Sequence, residues 1–194
     1  MRCPECGRRL SREPVLALTG AAAALAFANT VGTSWALIAY LGFLLLTMAL
    51  VVTDLEAFRI VDRLNIPWSL ALVAVIGAAA LADGDLDRLW RGLLGAGSYF
   101  AGSSIVFLAV RGRGFGAGDV KLAVPLGLFT AYLGWSVLGW AVFGTAVIGG
   151  VVALIMVVSG SAGRKTELPY GPPMILGAWA AIAMVGVGAI PIPS

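Results

Sequence analysis

Seven apolar runs, parted by polar or glycine-containing breaks, occupy most of residues 15–190 and constrain the fold more than any other feature. They are Val15–Val31, Trp35–Thr53, Ile66–Ala82, Leu93–Val110, a shorter Val120–Gly134, Trp135–Val158 and Met174–Ile190. A bilayer crossing takes about 20 apolar residues, somewhat fewer for a short helix. In hydrocarbon each backbone amide and carbonyl has to be satisfied within the spanning structure, which selects helices here. The expected fold is an all-α polytopic membrane protein, a bundle of about seven transmembrane helices. The 12% of charged residues supports this, since a soluble domain carries roughly 25%. Residues 1–14 read as a tail with a single Cys-x-x-Cys, residues 15–194 as one membrane domain, and no polar stretch is long enough for a second, soluble one.

Basic residues favour cytoplasmic loops. With the amino terminus inside, eleven of the thirteen fall on the cytoplasmic side: Arg2, Arg8, Arg9, Arg12, Arg59, Arg63, Arg111, Arg113, Lys121, Arg164 and Lys165. Only Arg88 and Arg91 remain outside, beside Asp83, Asp85 and Asp87. The carboxyl terminus is then expected outside, and the net charge of +3 is a topological signal, with no nucleic-acid partner implied. The start of the chain also has the outline of a secretory signal, with Ala26-Phe27-Ala28 as a cleavage site. A Cys pair in its basic region argues for a retained helix instead.

The absence of His excludes Ser-His-Asp and Cys-His nucleophiles and zinc sites built on paired histidines. Carboxylates are left as the means of any hydrolysis. Of the ten acids, Glu5 and Glu13 lie in the tail, Asp83, Asp85 and Asp87 lie outside, and Glu167 is in a polar loop. Asp54, Glu56, Asp62 and Asp119 share the cytoplasmic side. Asp54 ends the second run and Asp119 begins the fifth, after the glycine-rich stretch Gly114-Phe115-Gly116-Ala117-Gly118. An acid at a membrane segment is costly unless it faces the bundle or water, which makes it a functional candidate by default. Two adjacent carboxylates share a proton, so one could activate water while the other polarises a carbonyl. The glycines would permit backbone conformations closed to other residues and close approach of a substrate strand, and Lys121 could hold a carboxylate or substrate group. Charge placement alone leaves a plainer reading equally open, in which both aspartates merely mark helix ends.

Gly116-Ala117-Gly118-Asp119-Val120-Lys121 resembles the Gly-x-Gly-Asp-x-Lys motif of the type IV prepilin peptidases, the GxGD class of membrane aspartic proteases. The stretch from Thr53 and Asp54 to Ile66 and Pro67 is similar to the family segment that holds the other catalytic aspartate. Leu168-Pro169-Tyr170-Gly171-Pro172-Pro173 is similar to the family's Pro-Phe-Gly-Pro element, and Cys3-Pro4-Glu5-Cys6-Gly7 to the second half of its cytoplasmic zinc motif. The four motifs stand in family order. The resemblance implies Asp54 and Asp119 as the catalytic pair, Gly116 and Gly118 as shapers of the loop, and Pro169, Tyr170, Gly171 and Pro172 as a border of the substrate cleft. Glu56 and Asp62 are expected to be interfacial charges, the latter paired with Arg59 or Arg63.

The implied activity is removal of the short basic leader of pilin-like precursors (class III signal peptides) at the inner face of a prokaryotic cytoplasmic membrane, with no cofactor required. Members that also methylate carry two Cys-x-x-Cys pairs in a large cytoplasmic region. One pair here puts methyltransferase activity in question, and limits zinc at Cys3 and Cys6 to half a site unless two chains each supply a pair. Val61 stands where the family has proline before Asp62. Two rivals from other classes are a proton- or cation-coupled transporter subunit, which predicts acids near mid-membrane, and a non-catalytic subunit of a pilus or secretion machine.

Overall fold

A computed structural model describes residues 13–32, 34–57, 62–110, 115–159 and 170–191, with the side chains of 13–18, 52–57 and 62–64 outside that description. Within it the chain is entirely helical: α1 (Glu13–Val31), α2 (Ala36–Ala57), α3 (Asp62–Asp83), α4 (Leu86–Ala109), α5 (Ala117–Leu133), α6 (Trp135–Val158) and α7 (Gly171–Gly186). Among the described residues, Asn65–Asp83, Leu86–Ala109 and Trp135–Val158 are each long and apolar enough to cross a membrane. Large apolar side chains stand exposed along α4 and α6, among them Leu94, Ile105, Leu108, Phe143, Leu154 and Ile155. In water such faces would seek a partner; in lipid they are already solvated. The protein is a helical polytopic membrane protein.

Each predicted run is a helix, and the differences lie at the ends. Helix α2 continues to Ala57, so Asp54 and Glu56 lie in its last turn and not in a loop. Helix α3 starts at Asp62, which moves Pro67 from the first turn into the second. Helix α4 starts at Leu86, because the Asp85 carboxylate accepts the Arg88 amide at 3.2 Å and holds its guanidinium at 2.6 Å. Gly84, at φ 72°, makes the turn before it. Helix α7 begins at Gly171, with Pro172 and Pro173 in the first turn, where their missing amides cost nothing.

Helix α5 is the hub. It packs against α2, α3, α4, α6 and α7, and all its residues from Pro125 to Leu133 are buried. A helix apolar all round belongs in such a position. Small residues let the bundle close: a Cβ on Gly127 would sit 2.5 Å from the Gly95 carbonyl oxygen, and one on Gly177 2.7 Å from that of Ala141. This is how transmembrane helices gain contact area where water supplies no driving force. Towards the end of the bundle where α4 begins and α5 finishes, the Phe43 and Phe129 rings stack at 4.5 Å and Tyr40 meets Phe129 edge-on. The Tyr40 hydroxyl donates to the Phe129 carbonyl at 2.6 Å, satisfying the one polar atom of a wholly buried ring. Nearer the middle, the Trp179 indole of α7 donates to Thr47 of α2 at 3.1 Å.

Candidate active site

Antiparallel packing of successive helices brings one set of ends together: the last turns of α2, α4 and α6 and the first turns of α3, α5 and α7. Six of the expected site residues belong to described segments at this end: Asp54, Gly116, Gly118, Asp119, Tyr170 and Gly171. Lys121 and Pro172 are close behind.

Asp119 is the third residue of α5 and is only 6% exposed. Gly116 caps the helix, and its N–H donates to Asp119 Oδ2 at 2.9 Å while its carbonyl accepts the Asp119 amide at 3.1 Å. This is one arm of a capping box, the arm in which the third-position acid satisfies an amide that the helix leaves open. A negative charge here also meets the positive end of the helix dipole. Sequence and geometry thus agree on why the chain tolerates a buried acid at this position.

The backbone of these glycines differs from one half of the expectation, that of unusual conformations. Gly116 has φ −85° and ψ 155°, ordinary extended backbone that any residue adopts, and Gly118 lies inside the first helical turn. Positive φ occurs at Gly32, Gly84 and Gly188 among the described residues, none of them in this stretch. What Gly116 supplies is space: a Cβ there would lie 3.3 Å from Asp119 Oδ2. Gly114 lies outside the described residues.

Asp54 lies in the last turn of α2, at the same end of the bundle as Asp119, with its side chain outside the described residues. The same holds for the side chains of Glu56 and, in the first turn of α3, Asp62. Lys121 is half-buried on α5, one turn before Pro125. Cys3, Cys6 and Pro169 lie outside the described residues. Among those described, no three His, Cys, Asp or Glu side chains gather as a metal site.

Tyr170 immediately precedes α7, and Gly171 and Pro173 behind it are buried. Its side chain rests on Gly149 of α6, where a Cβ would lie 3.0 Å from two ring carbons and from the hydroxyl oxygen, and its ring meets the Phe115 ring edge-on at 5.2 Å. Phe115 in turn adjoins Gly116. The element that carries Tyr170 is therefore braced against the residue next to the amide that holds Asp119.

Several neighbours carry no signal of their own in the sequence. Asn65 is buried to 1% in the first turn of α3, where it accepts a hydrogen bond from Ser69 at 3.2 Å. Beside Phe115 and Tyr170 lies a cavity of about 420 Å³ between α4, α6 and α7, into which Tyr99, Ser103 and Thr145 contribute hydroxyl-bearing residues. The one clue to it is the run of small residues on α4, which speaks for close helix approach as readily as for a hollow.

The chain matches the type IV leader peptidase family over residues 41–154, a stretch that includes Asp54 and Asp119. It is 30% identical over 185 residues to the prepilin leader peptidase/N-methyltransferase of Stutzerimonas stutzeri, covering 93% of this chain and 62% of that protein. It is also 30% identical over 178 residues to the protein of the same name from Burkholderia pseudomallei strain 1026b, covering 88% of this chain and 54% of the relative. The chain thus spans somewhat over half the length of these relatives. No solved structure matches it.

Proposed function

This chain belongs to the type IV leader peptidase family, and from that premise we propose that it is a membrane aspartic endopeptidase acting on pilin-like precursors. It removes their short basic leader at the cytoplasmic face of a prokaryotic inner membrane, by water attack assisted by Asp54 and Asp119. The observation that carries this reading is Asp119 itself, a carboxylate buried to 6% at the start of the hub helix and held by the Gly116 amide. It lies at the end of the bundle to which α2 brings Asp54.

In this mechanism the two carboxylates share one proton at rest, since bringing like charges together raises the affinity of one for a proton. The ionised partner takes a proton from water as it attacks the scissile carbonyl. The protonated one gives its proton to the carbonyl oxygen, so that a tetrahedral diol forms. The partner then passes the proton it took from water to the leaving amine, while the first regains its own from the diol as the carbonyl re-forms and the C–N bond breaks. Gly116 and Gly118 leave room for the peptide beside Asp119, Lys121 lies near enough along α5 to meet a carboxylate or carbonyl of the substrate, and the segment Pro169 to Pro172 borders the cleft. The eleven basic residues assigned to one side support the cytoplasmic orientation. The peptidase step requires no cofactor; zinc, where Cys3 and Cys6 take part in binding it, stands apart from the cleavage.

The test is leader removal from a pilin precursor of the same genome, co-expressed with the wild type, Asp54→Asn or Asp119→Asn. Each substitution is expected to lower processing by about 10²–10⁴-fold, at unchanged protein level. A chelator leaves wild-type processing unchanged. Normal processing by either variant would remove the dyad.

A further inference from the structure

We infer that the cavity between α4, α6 and α7 is a pocket for a peptide segment bearing a large apolar side chain, on the membrane side of the bond that is cut. This rests on the peptidase reading above and gives that site a specificity determinant.

Size is the first argument. At about 420 Å³ the cavity is well beyond the roughly 150 Å³ that accommodates a benzene. It holds a large side chain together with part of its backbone. The walls supply the second argument. They are mostly apolar, from Val106, Leu138, Val142 and Met174, yet Ser103 lines the cavity at 5% exposure and makes no hydrogen bond among the described residues. Its neighbours are already engaged. Ser98 donates to the Gly95 carbonyl at 3.0 Å, Thr145 donates to the Ala141 carbonyl at 2.8 Å, and the Tyr99 hydroxyl lies 3.4 Å from Thr145 Oγ1. A buried hydroxyl without a partner costs about 1–3 kcal/mol. A peptide group entering the pocket offers it both an acceptor and a donor. A lipid acyl chain would fill the space and leave the hydroxyl as it is.

Position is the third argument. The cavity's rim is the Phe115–Tyr170 ring pair, and Phe115 precedes the glycine whose amide holds Asp119. A segment in the pocket would therefore emerge beside the proposed cleavage site.

The experiment uses the full-length enzyme in detergent and synthetic precursor peptides with either Leu or Ala just beyond the scissile bond. Gly102 lines the pocket, and a Cβ there meets nothing within 4 Å, so Gly102→Leu fills the space without displacing backbone. It is expected to lower kcat/KM for the Leu peptide about 10- to 200-fold and for the Ala peptide far less. Ser103→Ala is expected to raise KM several-fold for both. Equal losses on the two peptides in Gly102→Leu, or none, or an unchanged KM in Ser103→Ala, would overturn the pocket.

A benzophenone amino acid at the same peptide position supplies a readout that does not need cleavage. It should crosslink to α4 or α6 in Asp119→Asn and fail to do so in Asp119→Asn combined with Gly102→Leu. Crosslinking of this pattern with no cleavage by the wild type would sink the peptidase reading and leave the pocket standing. Phospholipid that co-purifies with the wild type and is lost in Gly102→Leu, with crosslinking unaltered, would assign the cavity to lipid and overturn the inference.

Discussion

The two ends of α5 solve the same problem in opposite ways. Any helix leaves amides open at its start and carbonyls open at its finish. At the finish, a neighbouring helix supplies the partner: the Arg91 guanidinium of α4 donates to the Ala131 and Tyr132 carbonyls at 2.9 and 2.8 Å. At the start, the helix uses its own acid, with Asp119 accepting from Gly116. A cation at the carbonyl end and an anion at the amide end both suit the dipole. The first arrangement ties two helices together. The second is a bond made within the start of the helix, and beside it the Phe115–Tyr170 ring pair meets α7 next to a cavity. Damage at the finish should therefore be felt in stability, and damage at the start in chemistry.

The largest stability effect is expected on the α4-facing side of α5, at Gly127. A single added methyl would lie 2.5 Å from the Gly95 carbonyl oxygen and 2.9 Å from the Ala96 Cα, both backbone atoms of α4. Gly127→Ala can be accommodated only by parting the helices, at a cost of about 2–3 kcal/mol. Thermal unfolding in detergent measures it, and an unchanged midpoint would contradict the close approach of α4 and α5.

Arg91→Gln comes next. It removes two charge-assisted hydrogen bonds at a half-exposed position, worth about 1.5 kcal/mol together after allowance for solvent. The midpoint should fall while leader removal per folded molecule stays at the wild-type rate. A change in turnover without a change in stability would mean that the two ends of α5 are not separable.

That contrast also marks how far the sequence could be read. The seven runs became seven helices because apolar length is itself the physical requirement for crossing lipid. Their ends were less legible because hydropathy does not register caps. Asp85 belongs to an acidic turn by composition, yet its carboxylate starts α4 at Leu86. Asp54 looks like a stop, yet the helix runs past it to Ala57. Asp119 was legible because burying an acid is expensive and therefore informative wherever it occurs.

The pocket was not legible. Tyr99, Ser103 and Thr145 look like isolated polar residues in two apolar helices, and only the packing of α4 against α5, and of α6 against α7, turns them towards one space. Of the two reasons the sequence offers for Gly116, a special backbone conformation fails, since φ is −85°, while the room left by the missing side chain is one that the geometry allows.

Gly116→Ala therefore isolates the start of α5 and carries the smallest expected effect on stability. At φ −85° alanine is unstrained, and Gly116 is exposed, so the unfolding midpoint should move by no more than the equivalent of about 0.5 kcal/mol. The new methyl, however, would lie 3.3 Å from Asp119 Oδ2, closer than an oxygen and a methyl normally settle. The carboxylate must give by a few tenths of an ångström. Since a misplacement of about 1 Å costs on the order of 100-fold in rate, a third of that corresponds to about fivefold. The expected result is a fall of that size in kcat for leader removal, with KM and stability nearly unchanged. Stability lost in step with activity would show that Gly116 serves the helix alone, and would erase the distinction between an end of α5 that holds the bundle and an end that performs its chemistry.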